Sequence, residues 1–396
     1  MVIGVVGAGA MGAGIAQVAA THGHCVWVAD AQPAALTRAK DSIGQALDRD
    51  VSKGKRTRDD ADAIVARIAY VDGVGADALQ AFAPCGLVIE AIVEELAAKR
   101  AVFAALEAVF GSDAMLASNT SSLSIAAIAG ACVHPDRVVG VHFFNPAPVM
   151  PLVEIIPAIT TSPDVAARAR ALLRSWGKTT VVASDTPGFI VNRVARPFYG
   201  ESLRMLEEGV ADMATIDWAM RELGGFRMGP FELMDFIGHD VNFAVTRSVF
   251  DATFHDPRYR PSITQQRLVE ARLLGRKSGR GFYDYREGAT KPEPVRDAAL
   301  GQPIVDRVLA LLVNEAVDAV HLRIASVADV EVAMTTGVNY PKGLLAWGDE
   351  IGAAVVLSRL DALHAEYGDD RYRASVLLRR IVRVGGTLLN SHETNT

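Results

Sequence analysis

The chain has 396 residues, of which 50% are hydrophobic and 22% are charged, and its formal net charge is −6 at pH 7. This length exceeds one ordinary hydrophobic core and predicts two or three domains, while the composition excludes a disordered chain. The negative charge gives no electrostatic reason to expect nucleic acid or an anionic membrane as a partner.

The cysteines and the apolar segments bear on the compartment. Cys25, Cys85 and Cys132 are widely spaced and form no CxxC pair, so neither a disulfide framework nor a metal site is expected. The N-terminus begins with a strand-like apolar segment instead of a basic leader, and no apolar run is long enough to span a bilayer. We therefore expect a soluble, cytoplasmic protein.

The first thirty residues carry a dinucleotide-binding pattern. An apolar strand leads into GAGAMG at residues 7–12, a helical pattern follows, and a second strand ends in Asp30. Gly7 permits a tight turn, Gly9 lets the backbone approach a pyrophosphate, and Gly12 allows helix and strand to touch. The helix N-terminus attracts phosphates. Asp30 would bind ribose hydroxyls and repel a 2′-phosphate, so NAD is predicted rather than NADP.

Residues 33–70 alternate between alanine-rich and charged turns, which predicts a helical hairpin. Basic residues gather around Gly54 in this segment: Arg49, Lys53, Lys55, Arg56 and Arg58. They form either a solvated helical surface or a basic arm for the phosphates of a bulky substrate.

Strands that lead into helices recur in the next segment. A buried strand is predicted over 86–94, a helix over 95–110 and a further strand over 114–117, which together indicate a parallel, doubly wound sheet. The hydroxyl-rich segment SNTSS at 118–122 follows the last strand. Its side chains either cap the next helix or bind a nicotinamide or substrate oxygen at the carboxyl end of the sheet.

A histidine and a glutamate flank a proline-rich turn. His142 lies in an apolar strand over 138–144, and the prolines at 146, 148 and 151 force the chain to turn. The apolar run 152–156 then brings Glu154 back. An imidazole oriented by a carboxylate is a general base. A histidine on an apolar strand is otherwise most often a core residue with its hydrogen bonds made. The catalytic interpretation of this pair therefore depends on the rest of the sequence.

The composition changes after residue 182, where Pro187-Gly188 precedes a series of helical patterns that repeats at an offset of 114 residues. Asn192 aligns with Asp306, Glu201 with Glu315, and Asp235 with Asp349, and a polar linker at 286–294 separates the copies. Two copies of one helical module in tandem are expected to pack as a built-in pseudo-dimer.

Taken together, these segments resemble the 3-hydroxyacyl-CoA dehydrogenase family. The resemblance is carried by GAGAMGAGIAQ, VIEAIVEELAAKRAVFAALE, SNTSSLSI, GVHFFNPAPVMPLVEII, DTPGFIVNR, GPFELMDFIG and KSGRGFYDY. It covers nearly the whole chain up to about residue 285, and the second repeat resembles the duplicated C-terminal module of larger members. It implies a doubly wound α/β Rossmann-type domain over 1–184, a first all-α C-terminal domain over 185–288 that completes the active site, and a second helical repeat over 298–396.

The resemblance also implies roles for individual residues. His142 matches the catalytic base and Glu154 its orienting carboxylate. Ser121 and Asn192 match polar groups near the 3-oxygen of the substrate, and Asn145 matches a further substrate contact. The implied cofactor contacts are Gly7, Gly9, Met11, Gly12, Asp30, Ile92, Glu94, Lys99 and Ser121.

Two further features follow from the resemblance. Lys53 or Lys55 would lie in the helical arm that reaches the CoA moiety. The second copy has Asp306 where the first has Asn192 and lacks the DTPGF segment, so we interpret it as structural. No enoyl-CoA hydratase domain is recognised, and a single-activity enzyme is expected.

The expected reaction is the oxidation of an (S)-3-hydroxyacyl-CoA by NAD to the 3-oxoacyl-CoA, with no metal. A dehydrogenase of another 3-hydroxy acid, such as a sugar acid, and a non-catalytic NAD-binding structural protein are the alternatives. The sequence leaves open the acyl length, a terminal carboxylate on the acyl group, and the choice between a monomer with an internal pseudo-dimer and a homodimer.

Overall fold

The computed structural model describes residues 1–111 and 113–391. The end of the predicted second repeat, residues 392–396, therefore lies outside the described residues. The chain divides into two compact units, Met1–Thr186 and Pro187–Thr396. The first domain was predicted to end at residue 184, two residues before this division.

An eight-stranded sheet forms the centre of the first unit. Its strands are β1 (Val2–Val6), β2 (Cys25–Asp30), β3 (Ile68–Asp72), β4 (Cys85–Glu90), β5 (Met115–Ser118), β6 (Val138–Phe143), β7 (Leu152–Pro157) and β8 (Thr179–Val182). They lie in the order β3-β2-β1-β4-β5-β6-β7-β8. Only the β6–β7 pair is antiparallel. The strand order reverses direction at β1, and this switch point is where doubly wound sheets bind ligands. The predicted fold class of this unit is confirmed.

The helices of the first unit connect its consecutive strands, except that β6 and β7 are joined by a loop without an α-helix. They are α1 (Ala10–Thr21), α2 (Pro33–Ser52), α3 (Arg58–Ala66), α4 (Ala76–Leu79), α5 (Leu96–Val109), α6 (Ile125–Ala129) and α7 (Pro163–Ser175). Proline at the first helical position starts α2 and α7, where its missing N–H costs no hydrogen bond. Thr57 begins α3 by accepting a hydrogen bond from the backbone N–H of Asp60.

Two sequence-based boundaries differ from the structure. The strand predicted over 86–94 ends at Glu90, because its neighbours β1 and β5 end at Val6 and Ser118 and offer no further backbone partners. The hairpin predicted up to residue 70 ends at Ala66, and β3 follows. This edge strand buries only its first residue, Ile68, so it lacks the apolar alternation that identifies a strand in a sequence.

The second unit is helical, as predicted. Its helices are α8 (Val191–Val194), α9 (Arg196–Glu207), α10 (Met213–Trp218), α11 (Pro230–Ile237), α12 (His239–Ala252), α13 (Ile263–Glu270), α14 (Ala298–His321), α15 (Val327–Gly337), α16 (Leu344–Ile351), α17 (Ala353–Tyr367) and α18 (Val376–Val384). A π-helical turn, Ala219–Leu223, extends α10. The long helix α14 is buried along most of its length and packs against α9, α16, α17 and α18. No helix in 1–111 or 113–391 is long and apolar enough to cross a membrane.

The helices of this unit recur along the chain. Helices α10, α11 and α12 begin at residues 213, 230 and 239, and α15, α16 and α17 begin at residues 327, 344 and 353. Each member of the second set thus starts 114 residues after its counterpart. The helix positions are therefore consistent with the repeat that the sequence predicts.

Candidate active site

The turn between β1 and α1 has the geometry that a pyrophosphate requires. Gly7 has φ +103°, and a Cβ there would lie 2.4 Å from the carbonyl oxygen of Ala91. A Cβ on Gly12 would lie 1.8 Å from the carbonyl oxygen of Gly7, whereas nothing lies within 4 Å of the Cβ position of Gly9. The space over Gly9 and the N-terminus of α1, which has no acidic residue in its first turn, fit a dinucleotide phosphate.

Asp30 ends β2 beside this turn. One carboxylate oxygen accepts a hydrogen bond from the backbone N–H of Ala8 at 2.7 Å, and the other accepts one from the N–H of Gln32 at 2.8 Å. The two bonds orient the carboxylate. The arrangement fits ribose hydroxyls and opposes a 2′-phosphate.

The structure brings His142 and Glu154 together. They are directly opposite in the antiparallel β6–β7 pair, where opposite side chains share one face of the sheet. The ring nitrogen Nδ1 of His142 lies 2.7 Å from a carboxylate oxygen of Glu154, with the two residues 6% and 0% exposed. A carboxylate in this position selects the tautomer with the proton on Nδ1, which makes Nε2 the basic nitrogen.

The proline-rich loop between β6 and β7 is held by a buried lysine. The Nζ atom of Lys178 donates hydrogen bonds to the carbonyl oxygens of Ala147 at 2.6 Å and Met150 at 2.8 Å. Burial lowers the pKa of Lys178. The loop also carries the exposed residue Asn145, the predicted substrate contact.

The hydroxyl-rich segment after β5 is organised by Glu94. One oxygen of this carboxylate accepts hydrogen bonds from the Thr120 hydroxyl at 2.6 Å, the Ser121 N–H at 2.9 Å and the Ser122 N–H at 3.1 Å. The residue that caps the next helix is Ser124, so the capping role considered for residues 118–122 belongs to a residue outside that segment. Ser121 is thereby held at the carboxyl end of the sheet, where the site was predicted.

Beneath this loop lies a buried ionic group. The Nζ atom of Lys99 is 2.7 Å from a carboxylate oxygen of Glu90 and 3.2 Å from one of Glu94. Ser118 donates a hydrogen bond to the other oxygen of Glu90 at 2.6 Å. Desolvation alone would raise the pKa of Glu94, but the Lys99 ammonium and the donors of residues 120–122 hold it below its ordinary value. Lys99 is 1% exposed, and its contacts with the two glutamates support the hydroxyl-rich segment after β5.

The other predicted site residues have the following positions. Met11 lies in the first turn of α1, and Ile92 follows β4, where its N–H donates to Glu90 at 2.7 Å. Lys53 ends α2 as an exposed residue. Asn192 lies in α8 and belongs to the second unit. No group of three or more metal-ligating side chains occurs within the described ranges.

Sequence reasoning did not single out several residues that support the site. The side-chain oxygen of Asn119 accepts a hydrogen bond from the N–H of Phe143 at 2.9 Å, which joins the end of β5 to β6 beside His142. Asp185 accepts hydrogen bonds from the N–H groups of Ile125 and Ala126 at the start of α6. Glu90 lies within the strand predicted over 86–94 and received no role of its own. The available signal was a carboxylate at the end of a strand of buried type, but the lysine that pairs with it comes from the next helix.

The chain is similar to several known proteins. Residues 2–186 match the model of the 3-hydroxyacyl-CoA dehydrogenase NAD binding domain, and residues 188–285 and 304–390 match that of the 3-hydroxyacyl-CoA dehydrogenase C-terminal domain. The chain is 39% identical to a 3-hydroxyadipyl-CoA dehydrogenase of Escherichia coli (strain K12), with 96% of each chain covered. It is 42% identical to a probable 3-hydroxybutyryl-CoA dehydrogenase of Bacillus subtilis (strain 168), over 72% of this chain and 96% of that protein.

A solved structure covers both units. The crystal structure of 3-hydroxybutyryl-CoA dehydrogenase from Escherichia coli K12 substr. MG1655 matches with a TM-score of 0.90 and 38% sequence identity. The match covers 97% of this chain and 98% of that chain.

Proposed function

The chain belongs to the 3-hydroxyacyl-CoA dehydrogenase family, and from that premise we propose that His142 is the general base of its reaction. The reaction is the NAD-dependent oxidation of a 3-hydroxyacyl-CoA. The carbon–hydrogen bond at C3 and the oxygen–hydrogen bond of the 3-hydroxyl break, and a carbon–oxygen double bond forms. Bound NAD would supply the acceptor for the hydride, and the hydroxyl proton would pass to Nε2 of His142.

The observation that carries this proposal is the 2.7 Å contact between Nδ1 of His142 and Glu154. Glu154 keeps the proton on Nδ1, so that Nε2 can accept the proton of the alcohol. As the imidazole becomes an imidazolium, the buried carboxylate stabilises the new positive charge. The pairing of β6 with β7 supplies the orientation, because it places both side chains on one face of the sheet.

Ser121, Asn145 and Asn192 are proposed to bind the substrate, on the basis of the family resemblance. Ser121 and Asn192 would share hydrogen bonds with the 3-oxygen as its charge changes during the reaction. The network around Glu94 supports this role for Ser121, since it fixes both the backbone and the hydroxyl of that residue.

The cofactor contacts are proposed in two groups. Gly7, Gly9 and Gly12 would cradle the pyrophosphate, and Asp30 would bind the adenosine ribose, which favours NAD over NADP. The remaining predicted contacts are Met11, Ile92, Glu94, Lys99 and Ser121. For Lys99 the proposed contact is indirect, because its ammonium pairs with two glutamates.

The CoA part of the substrate is proposed to meet the basic segment around Gly54. Lys53 and Lys55 are exposed between α2 and α3, where they can approach phosphates without desolvation. Arg58 is less suited, because it already pairs with Asp48 at 2.7 Å.

The second unit is proposed to be a duplicated module that forms an internal pseudo-dimer. Glu201 of the first copy accepts hydrogen bonds from Arg307 at 2.5 Å and Tyr372 at 2.7 Å of the second copy. Conversely, Glu315 of the second copy accepts one from Tyr259 of the first at 2.7 Å. Such reciprocal contacts are what a two-fold interface produces. They support a monomer whose interface is satisfied within one chain.

A further reciprocal feature is the arginines around the two glutamates. The glutamate of each copy lies near two arginines of the other copy: Arg307 and Arg371 for Glu201, and Arg193 and Arg258 for Glu315.

A cytoplasmic location also remains our proposal and rests on three cysteines that are all free thiols.

Steady-state kinetics test the proposed function. We expect NAD reduction with 3-hydroxybutyryl-CoA, 3-hydroxyhexanoyl-CoA or 3-hydroxyadipyl-CoA, and a much lower rate with a free 3-hydroxy sugar acid. Turnover of the free acid alone would assign the alternative dehydrogenase activity. NADH binding without any turnover would instead identify a non-catalytic NAD-binding protein.

A further inference from the structure

The second unit contains a buried cation that lacks a carboxylate partner. Arg196, the first residue of α9, is 6% exposed, and no ion pair is formed by it within the described residues. Its Nη1 atom donates to the hydroxyl of Thr246 at 3.0 Å, but its Nε atom finds no hydrogen-bond partner in the part of the chain that the structure describes. The guanidinium lies 5.0 Å from the ring centroid of Tyr199. A buried charge left in this state is costly, so it calls for an explanation.

A second buried polar group without a partner lies close to it. The hydroxyl oxygen of Tyr340 is buried and has no hydrogen-bond partner among the described residues. The ring centroid of Tyr340 lies 5.8 Å from that of Phe198, which is two residues after Arg196 in α9. Both Arg196 and Tyr340 can donate hydrogen bonds. An anionic oxygen that reached them would satisfy both groups and neutralise the charge.

The second helical module shows that the fold does not need these polar groups. The positions 114 residues after Arg196, Asn242 and Thr246 hold Ala310, Val356 and Leu360. All three of these apolar residues are 0% exposed. The same helix positions thus form an apolar core in one module and enclose an arginine in the other. A purely structural requirement would have acted on both modules, so the arginine serves something else.

The position of Arg196 connects it to the substrate. Ala195, with φ −79° and ψ −6°, is the single residue between α8 and α9, so Asn192 and Arg196 are four residues apart, about one helical turn along the chain. One helical turn is about 5.4 Å long. In 3-hydroxyadipyl-CoA, two methylene groups separate C3 from the carbon of the terminal carboxylate, which is a span of similar size.

We propose that Arg196, assisted by Tyr340, binds the terminal carboxylate of a dicarboxyl-CoA substrate such as 3-hydroxyadipyl-CoA. This inference rests on the proposed function, in which Asn192 contacts the 3-oxygen. Arg196 is then a specificity residue. It would select substrates whose acyl chain ends in a carboxylate over those that end in a methyl group, because a methyl group leaves the buried guanidinium unpaired.

The test compares two substrates of equal chain length, 3-hydroxyadipyl-CoA and 3-hydroxyhexanoyl-CoA. The wild-type protein should show the higher kcat/KM with 3-hydroxyadipyl-CoA. Arg196→Met should lower the ratio of the two kcat/KM values by about 10- to 100-fold, the range for a hydrogen-bonded charge pair. Tyr340→Phe, which removes only the hydroxyl, should lower the ratio less. Arg359→Met, which removes a partly exposed arginine paired with Asp306, is the matched control and should leave the ratio unchanged.

A binding measurement separates recognition from turnover and from misfolding. Adipyl-CoA and hexanoyl-CoA lack the reactive hydroxyl, so thermal shifts with each report binding alone. Adipyl-CoA should raise the Tm of the wild-type protein more than hexanoyl-CoA does, and Arg196→Met should abolish that difference. Equal shifts in the wild-type protein, or a parallel loss of both activities in Arg196→Met, would overturn the inference. A wild-type protein that oxidises neither hydroxyacyl-CoA would contradict the proposed function itself.

Discussion

Glu154 in the first unit and Glu201 in the second are equally hidden from solvent, yet their surroundings differ in kind. Glu154 faces His142, whose imidazole is a side chain that can accept a proton in a reaction. Glu201 faces Arg307 and Tyr372, whose pKa values are raised so that both stay protonated at neutral pH, and the same residue types recur around Glu315. A buried carboxylate opposite a titratable group can serve proton transfer, whereas one opposite permanent donors holds two parts of the chain together. Burial alone therefore does not distinguish a catalytic from a structural acid.

The sharpest test of this contrast is the substitution His142→Gln. Turnover should fall by about 10²- to 10⁴-fold, because the proton acceptor is lost while the rest of the site remains. NAD affinity, measured by fluorescence titration, should stay within a few-fold of the wild-type value, since His142 lies outside the glycine turn. Unchanged turnover would remove His142 from the reaction.

The substitution Glu201→Gln tests whether Glu201 is the structural acid of the two glutamates compared above. Two donors from the second module would lose a charged acceptor in a buried position, and breaking a buried pair on one side costs about 3–5 kcal/mol. The free energy of unfolding, measured by urea denaturation, should fall by an amount in this range. At a temperature where the variant is folded, kcat should stay close to that of the wild type. A large drop in kcat without loss of stability would reverse the comparison.

Glu154→Gln should affect turnover more than stability. The amide keeps the shape of the side chain but can no longer stabilise an imidazolium, and it can turn its NH₂ group toward Nδ1, which would favour the wrong tautomer. We expect kcat to fall by about 10- to 100-fold, the cost typical of a misoriented catalytic group. Circular dichroism checks that the fold is retained. Should the variant unfold at low temperature while keeping its specific activity, Glu154 would be a structural acid like Glu201.

The smallest expected effect is on the pH dependence of stability. It concerns Asp217, a buried carboxylate in the first helical module. Burial raises its pKa to about 7, although Tyr283 and the N–H groups of Phe231 and Glu232 hydrogen-bond to it and act in the opposite direction. Because the folded-state pKa lies above the unfolded value of 3.8, the stabilisation is present below that value and is lost as the pH rises through 7.

The wild-type Tm should consequently fall more between pH 5 and pH 8 than the Tm of Asp217→Asn, which cannot titrate. Glu331 occupies the equivalent position in the second module, and burial raises its pKa as well. Glu331→Gln is therefore the matched variant, and it should reduce the same slope. Identical slopes in all three proteins would show that neither acid titrates in this range.

Much of the site was predictable because it depends on short-range order. The glycine turn with Asp30 requires only a strand, a helix and a second strand in sequence, and the spacing of His142 and Glu154 around three prolines requires only a return strand. The contacts of Lys99 were not predictable. Its pairing with Glu90 depends on how α5 lies against β4, and the sequence shows only a helix with one lysine.

The helical unit likewise has features that the sequence predicts and features that only the structure shows. The repeat at an offset of 114 residues is visible in the sequence, because equivalent positions keep the same residue types at Glu201 and Glu315. Its consequence, the reciprocal contact of each glutamate with the other copy, requires the packing of α9 against α14. Likewise, Arg196 looks like an ordinary helical arginine until the neighbours from α12 and from residue 340 enclose it.

By itself, the sequence determined the two-part architecture, the NAD-binding turn and the His142–Glu154 pair, since all of these depend on local periodicity and spacing, and it indicated the family through the resemblance of whole motifs. Only the tertiary structure decided which buried charges have partners and which lack them. A charge finds its partner through the packing of elements that are distant along the chain, and the cost of leaving it unpaired arises only once water has been excluded around it.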